Sequence, residues 1–308
     1  LMKVSTSQIF ERAMTQMSSQ QAKVADIQTQ LATGKQIVRP SDDPEKAGLI
    51  QRLTTAYNRQ ETYQNNLNAI SARLGAEEAA LSGTERIIQR VRELAVQANN
   101  GSLSPENRQI IATEVGALRN EMLSLANSAD ASGNYIFAGA KTNTAPFSED
   151  SYGATVYQGD TRQMMINVSE QRQLTLNRPG SEVYSSVLRE GSDGISERVG
   201  FFAVIDDFTD ALNNNDTDQI ELSLGEVSEL GQDLSVSLAD LGTRMSIVES
   251  QTDAIAEAKV RYNELISSAA DIDYASAVTN LTSEIMSLEA GQSSFAKISQ
   301  LSLFDYLR

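Results

Sequence analysis

Apolar residues near the start of the chain recur at alternating spacings of three and four. The row consists of Phe10, Met14, Met17, Val24 and Leu31, with Gln21 and Gln28 at the missing steps. This spacing is typical of a coiled-coil seam and predicts one long helix. Gly34 and Pro40 then predict a turn.

Helix boundary signals divide most of the remaining chain into long helices. Asp43 before Pro44 predicts a helix start, and no further proline occurs until Pro105. At about 1.5 Å per residue, a helix over residues 44–98 would be a rod of roughly 80 Å. Its apolar seam comprises Leu67, Ile70, Leu74, Leu81, Ile88, Val91, Ala95 and Ala98, with Glu77 and Thr84 as exceptions. Ser104 before Pro105 predicts a helix to about residue 127, and a third long helix is expected over 217–270.

The middle of the chain lacks this helical periodicity. Short alternating runs at 154–157, 164–168 and 173–176 predict an inserted antiparallel β unit, followed by a short helix around 201–212. The expected fold is mainly α: an elongated rod of coiled-coil-like helices with paired termini and a small β domain. The expected domains are 1–38 with 272–308 (terminal coiled coil), 39–134 with 217–271 (helical rod), and 135–216 (mainly β).

Charged residues are unevenly distributed among the predicted helices. Residues 44–98 contain 13 charged residues in 55, whereas residues 13–34 contain 2 in 22 and residues 274–303 contain 3 in 30. A free amphipathic helix normally solvates its outer face with charges, but Ser, Thr, Gln and Asn are cheaper to bury. The two ends therefore form either an ordinary intramolecular hairpin or a helix pair surrounded by copies of itself in a polymer.

Composition argues against most catalytic chemistry. The chain contains no Cys, His or Trp, which excludes His bases, Cys nucleophiles and His or Cys metal sites. We expect no enzyme activity, no catalytic residue, no cofactor and no metal. A formal net charge of −16 argues against nucleic acid and anionic membranes as partners. The pairs Asp42/Asp43 and Asp271/Asp273 are interpreted as helix caps and breaks rather than acid–base dyads. No secretion signal is visible in the first residues.

Three blocks resemble the bacterial flagellin-like axial proteins. Residues 31–37 with Asp42 and Asp43 resemble the family's N-terminal turn, residues 88–101 resemble its central rod, and residues 273–307 resemble its C-terminal helix. The resemblance implies export through the flagellar type III apparatus to the extracellular flagellum. It also implies termini that become a coaxial helical pair on assembly.

Within this family, three segments are more similar to members that join the hook to the filament than to flagellin. These segments are residues 135–139, residues 156–160 and the end at 302–307. The resemblance implies a ring of subunits with hook-associated protein 1 on the hook side and flagellin on the filament side. It also implies an export chaperone bound at the C-terminal helix.

The predicted function is a structural subunit of this junction, assembling axially through its terminal helices. The residues assigned to the assembly interface are Phe10, Met14, Met17, Val24, Leu31, Val278, Leu281, Ile285, Leu288, Phe295, Ile298 and Leu301. Two alternatives stay open: a short flagellin that forms the filament itself, and a cytosolic coiled-coil scaffold.

Overall fold

A computed structural model describes residues 6–190 and 196–306; for residues 6, 7, 9 and 298–306 only the helical backbone is described. The helices within these ranges are α1 (Thr6–Thr33), α2 (Pro44–Ala98), α3 (Pro105–Ala126), α4 (Gly180–Val183), α5 (Phe201–Asn214), α6 (Thr217–Ala270) and α7 (Tyr274–Tyr306). The strands are β1 (Phe147–Glu149), β2 (Thr155–Tyr157), β3 (Met165–Asn167), β4 (Gln173–Thr175), β5 (Val187–Glu190) and β6 (Ser196–Val199). The predicted mainly helical fold with small antiparallel sheets is confirmed.

The sequence signals for helix starts act as predicted. Asp43 accepts a hydrogen bond from the Lys46 amide at 3.0 Å, and Pro44 occupies the first position of α2. Ser104 accepts one from the Asn107 amide at 3.3 Å ahead of Pro105. Side-chain caps satisfy amides that have no partner in the first helical turn.

The β region consists of three separate antiparallel hairpins. β1 pairs with β2, β3 with β4, and β5 with β6. Strands β2, β3 and β4 fall within the predicted alternating runs, whereas β1, β5 and β6 were not predicted. The turn between β1 and β2 is closed by Asp150, whose Oδ1 accepts the amides of Tyr152 at 2.8 Å and Ala154 at 3.0 Å. Tyr152 at its tip is 93% exposed.

The chain divides into two compact units, which we call the terminal unit (residues 1–59 and 257–308) and the central unit (residues 60–256). The central unit contains a dense apolar core that includes the predicted α2 seam. Five aromatic rings make edge-to-face and stacked contacts within it, with centroids between 5.2 and 6.0 Å apart: Phe137, Phe147, Tyr184, Phe201 and Phe202. These contacts join β1 and the segment after α4 to α5.

One buried arginine connects α3 with three other elements of the central unit. Arg119 of α3 is 7% exposed, and its guanidinium donates to both carboxylate oxygens of Asp206 in α5, at 2.9 and 3.2 Å. It also donates to Glu149 of β1 at 2.9 Å and to Thr155 of β2. The planar guanidinium suits this forked recognition, which a lysine could not reproduce.

A second buried charge cluster surrounds Glu77 of α2, which is 3% exposed. Arg244 of α6 approaches its carboxylate at 3.4 Å and Arg178 at 3.9 Å, while Arg73 lies one turn earlier on α2. Glu77 Oε1 and Arg73 Nε have no hydrogen-bond partner among the described atoms. Burial raises the pKa of Glu77, and the nearby arginines offset this only in part, whereas Asp240 adds to it.

Glu77→Gln is expected to remove a pH dependence of stability. A carboxyl whose pKa is raised on folding binds its proton more tightly in the folded chain, so stability falls as pH rises above the ordinary glutamate value of 4.5. The glutamine variant should therefore gain stability relative to the parent as the pH rises above 4.5. Urea unfolding at several pH values measures this. Glu78→Gln is the control because Glu78 is the neighbouring residue and its side chain is exposed. The prediction would be contradicted if Glu77→Gln and Glu78→Gln changed the pH dependence of stability by the same amount.

Candidate assembly interface

The two terminal helices pack against each other in antiparallel order. Phe10 of α1 contacts Phe295 of α7 edge to face, with ring centroids 5.2 Å apart. Farther along α1, Lys23 lies 3.7 Å from Glu284, which comes earlier in α7. The two helices therefore run in opposite directions.

Half-buried residues, together with the buried Ala277, define the seam between α1 and α7. On α1 the row runs through Phe10, Ala13, Met17, Gln20, Val24, Ile27 and Leu31. On α7 it runs through Ala277, Leu281, Ile285, Leu288, Gly291 and Phe295. Eight of the twelve residues predicted for the assembly interface thus lie on this seam. The side chains of Ile298 and Leu301 lie outside the described part of the chain.

The other two predicted interface residues point away from the seam. Met14 is 57% exposed and Val278 is 51% exposed, and the adjacent Ala13 and Ala277 take the inward positions. Met286, which was not predicted, is 59% exposed on α7. These three residues place apolar side chains on the outer face of the helix pair.

Threonine hydroxyls on the outer face are satisfied within their own helices. Thr15, Thr29, Thr279 and Thr282 each donate to the carbonyl four residues earlier, at distances of 2.8 to 2.9 Å. A polar group that already has its hydrogen bond loses less when water is removed. The outer face is therefore inexpensive to bury.

The terminal unit contains very few buried apolar side chains. Among its described residues, only Ala270 and Ala277 are buried, whereas central-unit residues such as Leu67, Phe208 and Leu234 are 0% exposed. Two helices bury one stripe each, and a long helix obtains most of its stability from packing. The pair therefore leaves apolar side chains exposed on its outer face.

Backbone contacts join the two breaks in the helices at the base of this pair. The Gln36 amide donates to the Ala270 carbonyl at 2.7 Å, and the Ile272 amide donates to the Gly34 carbonyl at 3.0 Å. Lys35 and Asp271 form an antiparallel bridge between these bonds. Gly34 has a φ of +71°, a conformation that favours glycine.

The four aspartates near these breaks have structural partners, as predicted. Asp42 accepts the amides of Val38 and Arg39, and the Ser267 hydroxyl donates to Asp271. Asp273 caps α7, and hydrogen bonds from the Ser276 hydroxyl and from the Ser276 and Ala275 amides hold its pKa below the ordinary value. Across the described ranges, acidic side chains form no cluster suited to a metal ion. None of the helices in those ranges has the length and apolar character of a bilayer span.

The ends of the chain match two regions of a known family. Residues 4–142 match the bacterial flagellin N-terminal helical region, and residues 224–307 match the bacterial flagellin C-terminal helical region. Together these regions cover most of the chain and include all of α1 and α7.

Full-length relatives extend the similarity. The chain is 29% identical to flagellar hook-associated protein 3 of Escherichia coli, over 98% of this chain and 99% of that protein. It is 28% identical to the protein of the same name from Salmonella typhimurium, over the full length of both. A solved structure of a putative flagellar hook-associated protein from Vibrio parahaemolyticus shares the fold, with a TM-score of 0.67, 21% identity, and coverage of 75% of this chain and 100% of that one. The chain belongs to the bacterial flagellin family.

Proposed function

We propose that this chain is a structural subunit of the extracellular bacterial flagellum, located at the junction between hook and filament. The observation that carries the proposal is the α1–α7 pair, which has half-buried seams but almost no buried apolar core among its described residues. The similarity to flagellar hook-associated protein 3 over nearly the whole of both chains supports the junction assignment.

Axial assembly would supply the missing layer around the helix pair. Each exposed aliphatic or methionine side chain on the outer face contributes roughly 1.5–3 kcal/mol when fully buried. The self-bonded threonines keep the opposing cost of desolvation low. Neighbouring copies of α1 and α7 therefore suit this face better than water does.

The proposed domain division assigns separate roles to parts of the chain. Residues 1–38 and 272–308 would form the assembly domain, residues 39–134 and 217–271 the rod, and residues 135–216 the mainly β domain. The proposed partners are other copies in a ring, hook-associated protein 1 below and flagellin above. An export chaperone is proposed to bind the C-terminal helix before assembly, and no catalytic role is assigned.

Deleting the gene tests the junction assignment directly. We expect hooks without filaments and flagellin monomers released into the medium, because the filament then has no platform on which to grow. Electron microscopy of the cells and an immunoblot of the medium measure the two results. Loss of flagellin itself would instead identify the filament subunit, and normal filaments would contradict the junction assignment.

A further inference from the structure

The connection between α2 and α3 contains the one Asn–Gly pair of the chain, Asn100 followed by Gly101. Both residues are exposed. A Cβ built at Gly101 meets no atom within 4 Å, and the φ of this glycine does not lie in the left-handed region. Neither packing nor backbone conformation therefore explains why a glycine follows this asparagine.

The Asn100 side chain folds back over the residues that follow it. Its Oδ1 accepts a hydrogen bond from the Ser102 amide at 3.0 Å, and its main-chain carbonyl accepts one from the Leu103 amide at 3.0 Å. These bonds hold the side-chain carboxamide beside the Gly101 peptide. Within the described ranges the Gly101 amide donates to no acceptor, so its nitrogen is free to react.

We infer that Asn100 is a site of intramolecular deamidation, at which the chain modifies itself without an enzyme. The Gly101 main-chain nitrogen loses its proton to hydroxide and forms a bond to Asn100 Cγ. The bond between Cγ and the side-chain nitrogen breaks, and ammonia leaves after taking a proton from water. The product is a cyclic succinimide, and a water molecule then opens it at either carbonyl carbon to give aspartate or isoaspartate.

The Ser102 amide assists the first step of this reaction. Negative charge develops on Asn100 Oδ1 as the nitrogen attacks Cγ, and the Ser102 amide already donates to that oxygen. A donor fixed at the atom where charge develops lowers the barrier without any rearrangement. The turn also keeps the two reacting groups close together, and Gly101 has no side chain to obstruct the attack.

Arg108 of α3 favours isoaspartate as the product of ring opening. This arginine is 4% exposed, and its guanidinium donates to the carbonyls of Asn100 and Ala98, both at 3.1 Å. A guanidinium bound to the Asn100 carbonyl makes that carbon more reactive toward water. Attack there leaves the main chain connected through Cγ, which is isoaspartate, and the new carboxylate forms opposite Arg108 in a charge-assisted contact.

This inference goes beyond the proposed function and does not depend on it. The reaction needs only the connection between α2 and α3 in the central unit, and not the terminal helices. Isoaspartate adds a carbon atom to the main chain and a negative charge just after the end of α2, where the helix dipole disfavours negative charge. The modification would accumulate with the age of each chain.

Incubation of the purified full chain at mildly alkaline pH tests the inference. Peptide mapping by mass spectrometry, with electron-transfer fragmentation to distinguish isoaspartate from aspartate, gives the rate and the products at Asn100. Ser102→Pro removes the donating amide and keeps the Asn–Gly pair. Asn143 is an internal control, because it is exposed but the next amide, that of Thr144, already donates to the Lys141 carbonyl at 3.0 Å.

We expect the folded Ser102→Pro variant to deamidate at Asn100 about tenfold more slowly than the folded parent, a smaller loss than in a site that excludes water. In urea that unfolds the chain, both should react at one rate, below that of the folded parent, because the turn is absent. The share of isoaspartate should also be higher in the folded parent than in urea. The inference would be overturned by a folded parent that reacts more slowly than the unfolded one, by a Ser102→Pro variant that reacts as fast as the parent, or by equal rates at Asn143 and Asn100.

Discussion

Replacing Ile285 by aspartate is expected to abolish incorporation of the chain into flagella while leaving the central unit folded. Ile285 lies half-buried on α7, in the seam with α1. The change removes an apolar contribution of roughly 1.5–3 kcal/mol and adds the cost of burying a charge. Both costs recur in each subunit of an assembly built from this pair.

The amount of variant chain in sheared flagella, measured by immunoblot, checks this result. Circular dichroism of the purified chain should show that the main thermal transition is retained, because the core of the central unit does not contain Ile285. Ile285→Leu is the matched control, since a swap that conserves volume and apolar character is generally tolerated. Ile285→Asp chains present at parental levels in the flagella would rule out the terminal pair as the assembly element.

Arg119→Met is expected to cause a large loss of stability in the central unit. Methionine retains apolar volume but leaves Asp206, Glu149 and Thr155 without their shared donor. Breaking such a buried connection costs roughly 2–4 kcal/mol, at the lower end of the range because the carboxylates are partly exposed. The hairpin β1–β2 should separate from α3 and α5 before the long helices unfold.

Urea titration followed by circular dichroism measures the loss, and hydrogen exchange in β1 and β2 locates it. Arg92→Met is the control, because Arg92 is exposed on α2. Arg119→Lys should fall between the parent and Arg119→Met, since lysine keeps the charge but not the fork. Equal stability of the Arg119→Met and Arg92→Met variants would show that the hydrogen bonds of Arg119 do not stabilise the central unit.

Helix boundaries were predictable because they depend on local chemistry. Asp43 with Pro44, and Ser104 with Pro105, mark helix starts that tertiary packing does not change. Strands β5 and β6 were not predicted because Arg189, Glu197 and Arg198 interrupt any apolar alternation there. Such short strands depend on their partner strand rather than on their own sequence.

The seam was predictable in its spacing but not in every member. A row spaced by three and four residues fits α1 equally well through Met14 or through Ala13, and methionine is the more apolar choice. The structure places Ala13 inward and exposes Met14, because a small residue permits close approach of two helices. On α7, Ala277 likewise takes the inward position and the predicted Val278 is exposed.

Sequence patterns did not predict the buried charged residues. Glu77 was visible only as an exception in the α2 seam, and Arg119 gave no signal. Their partners lie far away in the sequence, as with Arg119 and Asp206 at a separation of 87 residues. Only the folded chain brings such groups together.

The tight turn between β1 and β2 offers a practical route to imaging. Asp150 holds the turn closed through its own side chain, Gly153 adopts a φ of +84°, and Tyr152 projects with 93% of its surface exposed. Exposed turn tips of this kind are where inserted peptides are best accepted. A short dye-binding tag spliced beside Tyr152 would leave the helices untouched and allow single subunits to be followed by fluorescence in living cells.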